Sequence, residues 1–131
     1  MSNPAVSPDT LNIPAPVARA AELLFDRKAT DVLLLELKGI SSATDYFLIA
    51  TGRSDTHVSA IADHLVGEMS KAGVRPVSAE GVRGGRWALI DYFDFVVHVF
   101  HPAAREFYQL ERLWGDAPQH ALAPQDETPA R

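Results

Sequence analysis

Two apolar segments separated by only three residues constrain the fold of this 131-residue chain more than any other feature. Residues 86–91 and 95–100 each have the character of a strand, and Tyr92-Phe93-Asp94 connects them. Parallel neighbours need a crossover connection of about a dozen residues or more, so this short connection predicts an antiparallel hairpin. The chain must therefore build at least part of a β-sheet.

Hydrophobic spacing predicts three helices around this hairpin. The first covers residues 17–28. The second begins at Ser54 or Asp55 and ends at Gly73. Either polar residue could cap the second helix by accepting backbone N–H bonds, and Gly73 suits its end. The third starts at Pro102, whose missing N–H is tolerated in a first turn. We expect its buried face to consist of Ala103, Phe107, Leu110 and Trp114.

Short apolar runs predict the strands. They cover residues 32–37, 46–51, 75–80, 86–91 and 95–100. Together with the helices they give the order αββαβββα. This order indicates an α+β fold, a single domain with one mixed sheet of about five strands and helices packed on it.

Proline placement divides the chain into three parts. Seven of the nine prolines lie in residues 1–16 or 115–131. Proline removes backbone donors and breaks helices, so we expect both ends to be disordered and residues 17–114 to form the folded domain. The net charge is −5 for the chain and −2 for residues 17–114, which hold 11 basic and 13 acidic residues.

Composition argues against several classes of protein. The absence of cysteine excludes disulfides and thiolate metal sites. No apolar run reaches the roughly 18–20 residues of a membrane span. The first residues resemble no signal peptide, and we expect a cytoplasmic protein without membrane contact. An excess of acidic residues disfavours binding to nucleic acid through its phosphates.

The polar clusters favour neither a catalytic nor a metal site, and we expect no cofactor. The five histidines lack the dense spacing of zinc motifs, and we predict instead that His98 is hydrogen-bonded in the sheet. Helix capping explains Ser54 near His57. Asp91 and Asp94 are three residues apart, which places them on opposite faces of an extended strand. Paired carboxylates for metal-dependent nucleotidyl transfer would share a face.

Aromatic residues concentrate in the hairpin and in the last helix. Trp87, Leu89 and Asp91 share one face of their strand, and Ala88 and Ile90 share the other. The Ala88 face suits a core, which leaves the Trp87 face either exposed or beneath a helix. Trp and Tyr are enriched at interaction hot spots, so the residues alone leave core and interface interpretations open.

A dispersed set of residues within 17–114 carries a resemblance to a known family. The set comprises Thr44 to Gly52, Ser54, His57-Val58, Ile61-Ala62-Asp63, Glu80-Gly81, Trp87, Asp91-Tyr92, Asp94, Val96 to Phe100, Arg105, Tyr108, Leu110-Glu111 and Leu113-Trp114. In this order the residues resemble the ribosomal silencing factor family, also called Iojap-like proteins. The family's usual Tyr-Gly-Asp turn is here Tyr92-Phe93-Asp94, and Phe93 should resist the positive φ that glycine accepts.

The resemblance implies a translation repressor. Family members bind the large ribosomal subunit through large-subunit ribosomal protein fourteen and sterically block joining of the small subunit, which lowers protein synthesis when nutrients are limiting. Their fold is a mixed sheet flanked by helices, distantly like nucleotidyltransferases, without established enzymatic activity. By position, Trp87 and Tyr108 match the family's contact aromatics, and Leu89, Asp91 and Leu110 are their neighbours in that surface.

Two alternatives stay open beside this interpretation. A nucleotidyltransferase-like enzyme is disfavoured because paired carboxylates are missing. An RNA-binding module could use Arg83 and Arg86 beside Trp87, but the net charge and nearby acidic residues disfavour it. Exposed aromatic residues could also support a homodimer.

Overall fold

Six strands form one mixed sheet in the computed structural model, which describes residues 5–124. The strands are β1 Thr30–Glu36, β2 Tyr46–Thr51, β3 Ser78–Glu80, β4 Trp87–Asp91, β5 Phe95–Phe100 and β6 Gln119–Ala121. Their order across the sheet is β3-β4-β5-β2-β1-β6. The helices are α1 Ala15–Asp26, α2 Asp55–Lys71, α3 Pro102–Tyr108 and α4 Leu110–Leu113, preceded by a short 3-10 helix, Pro8–Thr10. The predicted α+β class and mixed sheet are confirmed.

The sheet consists of two antiparallel halves joined by one parallel pair. Strands β3, β4 and β5 form one half, and β6, β1 and β2 form the other. The β4–β5 hairpin is antiparallel, as its short connection predicts. At the centre of the sheet β2 runs parallel to β5, and the chain between them contains α2, β3 and β4. A parallel pair requires such a long crossover connection.

Helices α1 and α2 cover one face of the sheet. Alternate side chains of four strands point into this core and are almost completely buried. They are Val32, Leu34, Leu48, Ala50, Ala88, Ile90, Val97 and Val99. Val58, Ile61 and Leu65 of α2 meet them at the predicted helical spacing. Ser54 caps α2, because its Oγ accepts the His57 backbone N–H at 3.1 Å.

The last predicted helix is broken at Gln109, where φ is +45° and the backbone is left-handed. Helical periodicity does not continue through such a residue, and α3 and α4 therefore present different faces to the sheet. Ala104 is buried, whereas Phe107 is 79% exposed. The expected buried face is wrong at Ala103, which is exposed, and at Phe107, and it is right for Leu110.

Both ends of the described chain pack against the sheet, which corrects the expectation of disorder for residues 5–16 and 115–124. Strand β6 pairs with β1 and widens the expected sheet by one strand. The backbone of Val6 donates to Ala121 at 3.0 Å and accepts from Ala123 at 2.8 Å. Leu122 is only 6% exposed. Backbone pairing and apolar burial therefore outweigh the proline content, while residues 1–4 and 125–131 lie outside the described residues.

The hairpin turn places Phe93 at φ +75° in spite of its side chain. The Asp94 N–H donates to the Tyr92 carbonyl at 2.9 Å, which closes a three-residue turn. The Asp91 carboxylate accepts the Phe93 N–H at 2.7 Å, and the Thr44 hydroxyl donates to the Phe93 carbonyl at 3.0 Å. These bonds hold a conformation that glycine would adopt without strain.

We expect Phe93→Gly to be more stable than Phe93→Ala by about 1 kcal/mol, because a residue with a Cβ pays a steric penalty in the left-handed region. Both substitutions remove the same exposed ring, so the comparison isolates the backbone. Urea unfolding followed by circular dichroism measures the difference. Equal free energies of unfolding would show that the turn stores no strain.

We also expect Leu122→Ala to lower the free energy of unfolding by about 2 kcal/mol or more, because it removes a buried side chain from the core. Leu113→Ala is the matched control, since that leucine is 75% exposed and its loss should change stability by less than about 0.5 kcal/mol. If the two variants unfold at the same urea concentration, the segment after α4 does not contribute to the fold in solution.

Candidate functional site

One face of the sheet is only partly covered by helices. Strand β4, which lies next to the edge strand β3, has half-buried side chains on this face. Trp87, Leu89 and Asp91 alternate on this face and are half-buried, whereas Ala88 and Ile90 are fully buried on the other. The predicted division of this strand into two faces is confirmed. The Trp87 face of β4 is therefore partly covered by protein and partly exposed to solvent.

Ring contacts join β4 to α3. The ring centroids of Trp87 and Tyr108 are 4.8 Å apart, and those of Tyr108 and Phe107 are 4.9 Å apart. Phe100 lies beneath, with its centroid 4.9 Å from that of Trp87. These separations are in the favourable range for aromatic pairs. We call Trp87, Leu89, Phe107 and Tyr108 the aromatic surface.

The aromatic surface is accessible because α3 ends early. Tyr108 is 48% exposed and precedes Gln109, whose left-handed backbone ends the helix. Arg105 fixes α3 from below: its guanidinium donates to the Asp31 carbonyl at 2.6 Å and to the Thr51 hydroxyl at 2.8 Å. The same guanidinium lies 3.3 Å from the Glu111 carboxylate and so connects α3 to α4. Tertiary contacts therefore hold the exposed rings in place.

His98 lies on β5 under the aromatic surface and is 3% exposed. The indole N–H of Trp87 donates to its Nδ1 at 3.1 Å, which confirms the predicted hydrogen bond within the sheet. The imidazole therefore carries its proton on Nε2, an atom without a hydrogen-bond partner among residues 5–124. The rings of Phe47 and His98 form a T-shaped pair, with centroids 4.5 Å apart. Burial lowers the pKa of His98 from 6.5 to about 4.

The remaining predicted site residues take different positions. The Asp91 carboxylate is engaged by the turn, as described above. Leu110 is only 9% exposed and packs with Leu35, Ile49 and Phe100, so it supports the aromatic surface from beneath. Sequence reasoning missed the exposure of Phe107, because a regular apolar spacing gives no sign of the break at Gln109.

The polar cluster at the start of α2 is used for structure. The Nδ1 of His57 accepts the Arg53 backbone N–H at 2.9 Å, and its Nε2 bonds the Arg27 carbonyl at 2.6 Å. With Ser54 occupied as the helix cap, no free hydroxyl and base are paired there. Within residues 5–124, no three His, Asp or Glu side chains are arranged to hold a metal ion.

A cavity with a volume of about 760 Å³ lies between β1, β6 and the α3–α4 segment. Asp31, Thr51, Arg105, Glu111 and Gln119 are among its lining residues. Arg105 lines this cavity, and its Nε and Nη1 donate to groups of the protein itself. In the part of the chain that the structure describes, no helix is both long and apolar enough to cross a membrane.

Comparison with protein families gives one match over most of the chain. The family model described as "Ribosomal silencing factor during starvation" matches residues 10–131. The "Ribosomal silencing factor RsfS" of Bacillus subtilis (strain 168) is 46% identical over 99 residues, which cover 76% of this chain and 84% of that protein. A more distant relative from Mus musculus, "Mitochondrial assembly of ribosomal large subunit protein 1", is 33% identical over 95 residues, covering 70% of this chain and 42% of that protein.

A solved structure agrees with these matches. The crystal structure of a Chromobacterium violaceum protein superposes with a TM-score of 0.77 at 34% identity. The superposition covers 92% of this chain and 96% of that one. The sheet and helices described above are therefore also those of a related protein.

The buried imidazole makes the stability depend on pH. The unfolded chain protonates His98 near pH 6.5, whereas the folded protein does so only near pH 4, so the unfolded state binds more protons in between. Neutral His98 therefore makes its full contribution to the free energy of unfolding above pH 6.5, and this contribution is lost as the pH falls towards 4. With a shift of this size we expect a loss of up to about 3 kcal/mol.

Urea unfolding at pH 7.5 and at pH 4.5 measures this loss. His98→Asn should remove it, whereas His101→Asn should retain it, because His101 caps α3 through its Nδ1 and Asn can replace that acceptor. The same pH dependence in His98→Asn as in the unsubstituted protein would assign the loss to another group.

Proposed function

This chain belongs to the ribosomal silencing factor family, and we propose that it represses translation by binding the large ribosomal subunit and preventing the small subunit from joining it. We place this activity in the cytoplasm, under nutrient limitation. The direct contact in this proposal is large-subunit ribosomal protein fourteen. The name of the mouse relative, which refers to assembly of the ribosomal large subunit, supports the choice of subunit.

The observation that carries the proposal is the aromatic surface. Binding hot spots are enriched in Trp and Tyr that are rigid before binding and surrounded by residues that exclude water. Trp87 is packed from below by Phe100 and from the side by Tyr108, so little conformational freedom remains to be lost on docking. Phe107 contributes apolar area at the rim, and it is 79% exposed.

Charge favours a protein contact over an RNA contact. The chain carries −5, and Asp91 and Glu106 lie near the aromatic surface in sequence. Acidic groups repel ribosomal RNA phosphates and attract the basic side chains of ribosomal proteins. We therefore propose that Trp87 and Tyr108 dock on ribosomal protein, with Leu89 and Asp91 beside them and Leu110 as support beneath. RNA-phosphate binding is not part of the proposal.

In this mechanism the protein blocks a surface and breaks no bond. The Asp91 carboxylate, a candidate metal ligand by residue type, is occupied by the Phe93 backbone N–H. Thr51, Ser54 and His57 are likewise engaged in structural hydrogen bonds. We propose a non-enzymatic repressor, whose effect depends on the fraction of large subunits that it occupies.

Sedimentation with separated ribosomal subunits tests the proposal. The protein should migrate with the large subunit, and large subunits loaded with it should fail to join small subunits. Trp87→Ala and Tyr108→Ala should each weaken binding roughly tenfold or more, the range expected for hot-spot residues, with unchanged far-ultraviolet circular dichroism. Lys71→Ala is the control, because Lys71 ends α2 on the opposite side of the sheet.

Two results would contradict the proposal. One is a protein that never migrates with the large subunit. The other is native-like binding by a folded Trp87→Ala variant. Sedimentation of the protein alone shows whether it forms a homodimer. If Trp87→Ala dissociates that dimer, the second copy occupies the aromatic surface and would compete with the ribosome.

A further inference from the structure

Trp87 and His98 form a diagonal pair across two neighbouring strands. In the β4–β5 ladder Trp87 stands opposite Phe100, and Leu89 stands opposite His98. All four side chains are therefore on the same face of the sheet. Side chains in such diagonal positions are within reach of each other when one of them is aromatic.

The imidazole of His98 is held on several sides. On β2, Ile49 is its neighbour in the parallel ladder, and the Phe47 ring forms a T-shaped pair with it at a centroid distance of 4.5 Å. Phe100 stacks with it at a centroid distance of 6.2 Å. An imidazole enclosed in this way offers its Nδ1 in one fixed direction.

The hydrogen bond to Nδ1 selects one orientation of the indole. An indole has a single N–H donor, and rotation about its χ2 angle gives a broad set of ring orientations. Only one of them directs Nε1 to His98 at 3.1 Å. The same orientation brings the indole to 4.8 Å from the Tyr108 ring. The acceptor below the surface thus decides which edge of Trp87 is presented above it.

We propose that His98 is a positioning residue for docking, which acts through Trp87 and does not itself touch the partner. This inference rests on the proposed function, because it takes Trp87 to be a contact residue. His98 holds the indole in its docking orientation before the large subunit arrives, so binding need not order it.

Two substitutions at residue 98 separate positioning from packing. His98→Asn keeps an acceptor close to the place of Nδ1, and His98→Leu fills a similar volume without one. We expect His98→Leu to weaken large-subunit binding roughly threefold to tenfold, the cost of fixing one free side chain on binding. His98→Asn should bind within about twofold of the unsubstituted protein.

A double-substitution cycle shows whether the effect passes through Trp87. Trp87→Phe keeps an aromatic ring and removes the N–H donor, so it should weaken binding by itself. In that background His98→Leu should have no further effect, because the hydrogen bond is already absent. Additive losses would overturn the proposal.

The motion of Trp87 gives a readout that needs no ribosome. The chain has two tryptophans, so Trp114→Phe leaves Trp87 as the only emitter. In this background the nanosecond anisotropy decay should show a more mobile indole with His98→Leu and a native-like indole with His98→Asn. In folded variants, an indole as rigid with leucine as in the unsubstituted protein, or as mobile with asparagine as with leucine, would overturn the proposal.

The two proposals fail in different ways. If the unsubstituted protein does not bind the large subunit, the proposed function fails, and the anisotropy experiment still shows whether His98 fixes the orientation of Trp87. If the protein binds and Trp87→Ala weakens binding, but His98→Leu binds normally, only the positioning role fails.

Discussion

The parallel pairing of β2 with β5 is the contact on which the rest of the structure depends. It joins two antiparallel halves of three strands each, and Leu48 and Val97 at its centre are fully buried. Because parallel strands need a long connection, the chain between them is free to place α2 over one face. The other face receives only the short α3 and α4, and so part of it stays open.

This unequal covering explains where a binding surface can form. A sheet covered by long helices on both faces would have buried Trp87 completely. Here the short α3 ends at Gln109 and leaves Tyr108 beside the indole, with Arg105 tying the helix to β1 and β2. The apolar surface that remains is small, aromatic and rigidly supported, which is the form that protein docking favours. Below it, His98 satisfies the one polar atom of the indole.

Local pattern predicted a large part of this arrangement. The β4–β5 hairpin, the Ser54 cap and the division of β4 into a buried and a half-buried face each depend on residues close in sequence. The pairing of β6 with β1 depends on contacts between distant residues, and the left-handed backbone at Gln109 interrupts a segment whose apolar spacing is helical. Hydrophobic spacing carries no information about this pairing or this break, and proline content favoured the wrong expectation for the chain ends.

The sequence by itself determined the class of fold, the order of the elements from α1 to α3 and the residue types of the aromatic surface. Its periodicity is a local property, since each helix or strand must place apolar side chains on one face. Tertiary structure alone decided that Trp87, Phe107 and Tyr108 meet, and that His98 supports them. Those residues come from three elements, and only the assembled sheet, with α3 anchored by Arg105, sets the distances between them.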